Sequence, residues 1–143
     1  MLNKTATTDV ARVLAELVDT ALADDWDEDG PTMALLWESS ENPDDLRVAV
    51  KRLEGAIEDE LAPMGELGDY LAVAHSTVTR WPPPELRARS DGAPIRITVA
   101  VDSESELGVV RHRNGATEWF GAIGLPVVEL IRSGLRLEPG NSV

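Results

Sequence analysis

Hydrophobic residues recur at helical spacing near the start of the 143-residue chain. Apolar side chains three and four positions apart form one stripe along residues 8–23. The stripe comprises Val10, Val13, Leu14, Leu17, Val18, Ala21 and Leu22. Thr8 is suited to cap this segment, and Asp9 follows it, where a carboxylate is favourable against the positive end of a helix dipole. The pattern predicts an N-terminal helix that buries one face.

Two more helices are predicted from their start and stop residues. Asn42-Pro43 followed by two aspartates is typical of a helix start, and Pro63 would end that helix. Its buried face would comprise Leu46, Ala49, Val50, Leu53, Ile57 and Leu61. Pro126 and Gly134 bound the third helix.

Strands are predicted where β-branched residues are frequent or where apolar and polar residues alternate. The predicted strands cover residues 33–37, 70–80, 95–102, 107–113 and 117–120. Residues 95–102 show the clearest alternation and are expected to be buried on one face only. Asn114-Gly115 is the dipeptide preferred in a tight hairpin, so the last two strands should pair.

The element order α-β-α-β-β-β-β-α predicts the α+β class. An antiparallel sheet of four to five strands would have about three helices packed on one face, in two layers. The length fits a single domain over residues 1–143, with a flexible C-terminal tail expected from about residue 136.

Acidic residues dominate the first part of the chain. The net charge is −13, and residues 1–79 hold 18 acidic against 5 basic side chains, whereas residues 80–143 are balanced. A negative field repels nucleic acid and anionic membranes and attracts basic proteins, so we expect a basic protein partner, no nucleic acid and no membrane. The chain has no cysteine and no apolar leader at its start, and arginine outnumbers lysine. These features predict a bacterial, cytoplasmic protein.

The strongest chemical signal is an acidic segment, defined here as Asp24, Asp25, Asp27, Glu28 and Asp29. Asp25, Asp27, Asp29 and Gly30 match the first half of a calcium-binding EF-hand loop. Position twelve of that loop needs a glutamate, and the chain has Leu36 there. A weak calcium site therefore stays open, but no cofactor is expected. The alternatives are an arginine of the chain, or a basic partner, facing five carboxylates at the unfavourable end of a helix.

Several other residues are candidates for chemistry. Arg96, Arg111 and Arg113 could form a basic patch across neighbouring strands and bind a small anion, although pairing with the acids of the helices is the alternative explanation. Trp81, before three prolines, resembles a rigid recognition segment, and it could instead anchor a long loop.

The two histidines are weaker candidates. Each of His75 and His112 lies in a predicted strand, and a zinc site would need both of them with a carboxylate. Ser76 cannot complete a catalytic group with His75, because neighbouring side chains in a strand point to opposite faces.

The order of these elements resembles an uncharacterised actinobacterial family of small proteins. The residues that carry the resemblance are Trp26-Asp27, Gly30-Pro31 and the strand from Arg96 to Val101. The resemblance implies no activity and no site residues. The small, acidic secretion-chaperone fold is also similar, but this chain differs from it by a predicted helix between its first two strands.

Three functions follow as hypotheses. The first is a non-enzymatic interaction module, chaperone-like or inhibitor-like, that binds a basic partner through the acidic segment and Trp81, in a monomer or a homodimer. The second is a metal-dependent or acid/base enzyme that uses Asp25, Asp27 and Asp29. Whether the protein is an enzyme is left undecided by the sequence, and a non-enzymatic protein is favoured. The third is a small anion-binding module that uses the three arginines.

Overall fold

The chain forms a mixed α+β fold in a computed structural model. The structure describes residues 10–26, 31–38, 46–54, 70–80, 94–102, 105–122 and 125–135. The helices are α1 (Val10–Ala21) and α2 (Pro126–Leu135), and the strands are β1 (Thr32–Glu38), β2 (Leu46–Arg52), β3 (Ala72–Thr79), β4 (Ile95–Asp102), β5 (Glu106–Arg111) and β6 (Thr117–Gly121). The predicted C-terminal tail and Trp81 lie outside these residues.

The six strands form one open antiparallel sheet in the order β2-β1-β3-β4-β5-β6. Every neighbouring pair in it is antiparallel. Strands β2 and β3 therefore run parallel to each other on either side of β1, and β2 and β6 are the edges. The antiparallel sheet is confirmed, but it has six strands where four to five were predicted.

The predicted second helix is wrong for the part that the structure describes. Residues 46–52 form β2, which pairs with β1 over seven residues from Leu46 opposite Glu38 to Arg52 opposite Thr32. Over so short a segment, the apolar residues at 46, 48, 50 and 53 fit both the helical period and the two-residue period of a strand. Pairing with β1 selects the strand. The predicted start at Asn42 and the later residues 55–61 lie outside the described residues.

The two described helices lie on opposite faces of the sheet, so the predicted two-layer packing is wrong. Helix α1 packs on alanine-rich positions of the sheet, namely Ala34, Leu36, Ala72, Ala74 and Ala100. Helix α2 packs on larger residues of the other face, including Val73, Ile95, Ile97, Val99 and Val101. The small side chains on the first face allow a close approach of α1, and both faces of the central strands are covered.

Strand β4 is buried at all eight positions, in contrast to the half-buried strand predicted from its alternation. Its polar positions face α1, where Arg96 is 3% and Asp102 is 4% exposed. The Asp102 carboxylate accepts hydrogen bonds from the backbone N–H groups of Ala11 (3.3 Å) and Ser105 (2.7 Å). It thus holds the first turn of α1, whose N–H groups have no partner within the helix. Arg132 of α2 donates to the Asp102 carbonyl at 2.9 Å, so this corner joins both helices.

The strands of the C-terminal half and the last helix are confirmed. The predicted hairpin turns at Asn114-Gly115, where Gly115 has a φ of 95° that favours glycine. The Asn114 side chain accepts a hydrogen bond from the Ala116 N–H at 2.9 Å. In the pair that follows, Gly108 lies directly opposite Phe120, whose ring covers it.

Candidate functional site

The acidic segment begins where α1 ends. After Ala21 the backbone continues in turns, with hydrogen bonds from the Leu22 N–H to the Val18 carbonyl and from the Asp25 N–H to the Leu22 carbonyl, each 3.0 Å. Carboxylates at this end oppose the helix dipole and repel each other. The described part of the segment therefore needs positive partners.

Those partners are arginines of the sheet and of the turn between β5 and β6. We call Arg52, Arg96, Arg111 and Arg113 the arginine cluster. Arg96 and Arg111 are directly opposed in the β4–β5 register, and Arg52 of β2 faces the same side of the sheet, because it pairs with Thr32 and the row continues to Ser76 and Thr98.

Asp19, in the last turns of α1, is held by Arg111. The guanidinium Nη2 donates to Asp19 Oδ2 at 2.8 Å, and Nε lies 3.1 and 3.2 Å from the two carboxylate oxygens. The side chains are 8% and 19% exposed for Asp19 and Arg111, respectively. These hydrogen bonds raise the pKa of Arg111, so its guanidinium stays charged.

Asp25 is placed between two arginines. Its Oδ2 lies 3.3 Å from Arg52 Nη1, and its Oδ1 lies 3.8 Å from Arg96 Nη2, which also donates to the Asp25 carbonyl. Arg96 Nη1 donates to Ser76 Oγ at 2.8 Å, and that hydroxyl shares a 2.7 Å hydrogen bond with Thr98. Burial lowers the pKa of Arg96, and the charges of Asp25 and Asp19 oppose this shift.

The last contact of the cluster fixes Trp26. The Arg113 guanidinium carbon lies 4.9 Å from the centre of the Trp26 ring, a cation–π distance. Trp26 itself is partly buried. Asp25 and Trp26 are thus held by arginines of the cluster, which identifies the positive partners of Asp25, whereas Asp27, Glu28 and Asp29 lie outside the described residues.

The structure brings together only part of the predicted metal site. Asp25 is described, whereas Asp27 and Asp29 lie outside the described residues. Leu36, in place of the missing glutamate, is buried at 4% exposure. Two arginines beside Asp25 disfavour a cation there. Over the described residues, no group of three or more potential metal ligands is placed to hold an ion.

The three arginines of the predicted anion patch each contact a different group of the chain. Arg96 and Arg111 are neighbours, but their carboxylate contacts compete with any external anion, and Arg113 is placed on Trp26. Among the buried side-chain nitrogen and oxygen atoms of the described residues, Arg96 Nε is the one without a hydrogen-bond partner.

His75 lies apart from the arginine cluster, whereas His112 lies between two of its members in the sequence. His75 of β3 is on the α2 face, in register with Met33 and Val99, and burial lowers its pKa to about 4. His112 follows β5 and lies 2.8 Å from Glu118. Ser76 faces α1, on the opposite side from His75, as predicted.

An exposed apolar surface was missed by the sequence reasoning. The stripe of α1 is wider than the face that the sheet covers, because Val13 is 56% and Leu17 is 43% exposed. On the same side of the sheet, Val48 and Val50 of the edge strand β2 are 39% and 52% exposed. The available signal was the width of the α1 stripe, and the signal in β2 was hidden by its interpretation as a helix.

Comparison with known proteins gave no matching family model, no matching curated protein and no matching solved structure. Neither helix in the described part of the chain has the length and apolar character needed to cross a membrane. The function must therefore be inferred from the residues themselves.

Proposed function

We propose that the protein is a non-enzymatic interaction module that binds a basic protein partner, in the manner of a chaperone or an inhibitor. The observation that carries this proposal is the distribution of charge between the described fold and its connections. The described residues contain ten acidic and nine basic side chains, so this part is nearly neutral. The whole chain has 26 acidic and 13 basic side chains, and almost the entire excess therefore belongs to the connecting segments.

Three connecting segments carry most of that excess. Residues 27–30, 39–45 and 55–69 contain eleven acidic side chains and no lysine or arginine. They precede β1, join β1 to β2 and follow β2 along the chain. The described fold carries no net positive charge to neutralise them, because its nine basic side chains are matched by ten acidic ones. A field of this sign speeds the encounter with a basic protein and disfavours acidic ones.

The test compares two triple variants with the same change in net charge. Asp27→Asn/Glu28→Gln/Asp29→Asn neutralises the acidic segment, and Glu85→Gln/Asp91→Asn/Glu138→Gln neutralises three acids in the balanced part. Proteins captured from the source cells by the tagged chain at low and high salt are identified, and the basic ones are purified and titrated. We expect salt-sensitive binding that the first variant weakens more than the second. Equal binding by both variants, binding that ignores salt, or capture of no basic protein would contradict the proposal.

The other hypotheses have less support from the described residues. A binding signal in calorimetric titration with calcium, magnesium or zinc would support the enzyme hypothesis, and no binding at millimolar metal would refute it. The anion-binding hypothesis requires Asp19 and Asp25 to give up arginines that they already contact. A homodimer stays a prediction that sedimentation of the intact chain decides.

A further inference from the structure

Helix α1 has a second apolar face that the fold does not use. Its inner face, with Val10, Leu14 and Val18, is buried against the sheet. Its outer face carries an open depression along one stripe of the helix, lined by Val13, Glu16, Leu17, Thr20 and Ala21. Large apolar side chains exposed at successive turns of one helix are uncommon on a surface without a partner.

The edge of the sheet carries two more exposed apolar residues on the same side. In the β1–β2 register Val48 pairs with Leu36 and Val50 with Ala34, and both partners belong to the core under α1. The two valines therefore face the same side of the sheet as α1. We call Val13, Leu17, Val48 and Val50 the docking surface. These four are the exposed large apolar residues of the part of the chain that the structure describes.

The charges beside the docking surface select the occupant. Glu16 lies within the α1 stripe, and Asp24, also exposed, follows the end of the helix. The cations of β2 do not reverse this sign. Arg47 and Lys51 alternate to the opposite face of the strand, and Arg52 contacts Asp25.

We propose that the docking surface binds an amphipathic basic segment of the partner, whose apolar side chains cover the four residues and whose lysines or arginines face Glu16 and Asp24. This inference rests on the proposed function and specifies where the partner binds. A helix laid into an apolar groove with complementary charges at its rim is a common mode of peptide recognition. Burial of the apolar residues supplies affinity, and the acids select the sign of the partner.

The experiment uses the full chain and three designed helical peptides as probes. The first contains leucine and lysine, the second replaces lysine by glutamate, and the third replaces leucine by serine. Binding is measured by calorimetry, and the contact is mapped by amide chemical shifts. We expect the leucine–lysine peptide to bind best and to shift amides of residues 13–21 and 48–50.

Two pairs of variants locate the contact. Val13→Ser/Leu17→Ser and Val48→Ser/Val50→Ser remove apolar surface at exposed positions, so the fold should tolerate both. Each should weaken the leucine–lysine peptide by about tenfold, the effect of losing ~1.4 kcal/mol of binding free energy. The control pair, Ala116→Ser/Thr117→Ser, lies in the exposed hairpin before the opposite edge and should leave affinity unchanged.

The outcomes separate this inference from the proposed function. The docking surface is refuted if both pairs of serine variants bind the leucine–lysine peptide as tightly as the wild type does, or if the serine–lysine peptide binds as tightly as the leucine–lysine peptide. Either result would still be consistent with a purely electrostatic interaction module. Preference for the leucine–glutamate peptide overturns the basic occupant. The proposed function fails separately, when the capture experiment with the two triple variants yields no salt-sensitive basic partner.

Discussion

The ion pair between Asp19 and Arg111 predicts an asymmetric cost of mutation. Replacing Arg111 by Met leaves the Asp19 carboxylate, 8% exposed, without its fork of hydrogen bonds and close to the negative end of α1. Breaking a buried pair in this way costs about 3 kcal/mol of the free energy of unfolding. Replacing Asp19 by Leu leaves Arg111, which is 19% exposed and feels the nearby charge of Asp24, so we expect a cost of about 1 kcal/mol.

A double-mutant cycle measures the interaction. The two single variants, the double variant Asp19→Leu/Arg111→Met and the wild type are unfolded in urea at neutral pH, and free energies are compared at equal m-values. The double variant should be more stable than Arg111→Met alone, because no carboxylate remains unpaired. Arg113→Met is the control, since a cation–π contact at an exposed arginine contributes only about 0.5–1 kcal/mol. Additive single effects, or a larger cost for Asp19→Leu than for Arg111→Met, would refute this account of the cluster.

Two further predictions concern the sheet. A Cβ at Gly108 would lie 2.3 Å from Phe120 Cζ, so Gly108→Ala should lower the free energy of unfolding in urea by about 1–3 kcal/mol. The same change in a Phe120→Ala background should lower it much less. Equal losses in both backgrounds would show that the ring is not the obstacle. The pKa of His75 falls from 6.5 in the unfolded chain to about 4 in the fold, so the stability that its neutral form contributes is complete above pH 6.5 and is lost as the pH falls towards 4. Between pH 7 and pH 5 the wild type should therefore lose about 2 kcal/mol more than His75→Leu, and His112→Gln is the control substitution at the other histidine. Parallel losses in wild type and His75→Leu would contradict the burial of His75.

Local pattern was sufficient for most elements of the fold. Helix α1, the strands from β3 to β6, the hairpin turn at Gly115 and helix α2 each have a periodicity or a turn residue that acts within a few positions. Strand β2 could not be predicted in the same way, because its valines fit both periods and its pairing with β1 is a tertiary contact.

The arrangement of the two faces was beyond what the sequence could show. The alternation along β4 suggests that only one face of the strand is buried. Arg96 and Asp102 lie on the polar face, and they are buried because hydrogen-bond partners distant in sequence, Asp25 and Ala11, pack against them. Pairing of Arg96 and Arg111 with acids of the helices was among the sequence hypotheses, and the structure confirms it for Arg111 with Asp19 of α1. Arg52 as a partner of Asp25 could not be predicted, because it required the pairing of β2 with β1.

The position of α1 in the sequence has a consequence for the order of folding. Its contacts join residues 91 and 92 positions apart, from Ala11 to Asp102 and from Asp19 to Arg111. During synthesis the helix emerges first, and its inner apolar face has no complete surface to cover it until β4 and β5 have been made. Closing so long a loop is slow compared with forming the β5–β6 hairpin, so the C-terminal strands should be in place before α1 docks. A chain that stops after β3 would leave part of the inner apolar face of α1 uncovered, in addition to the outer face, and should be prone to aggregation.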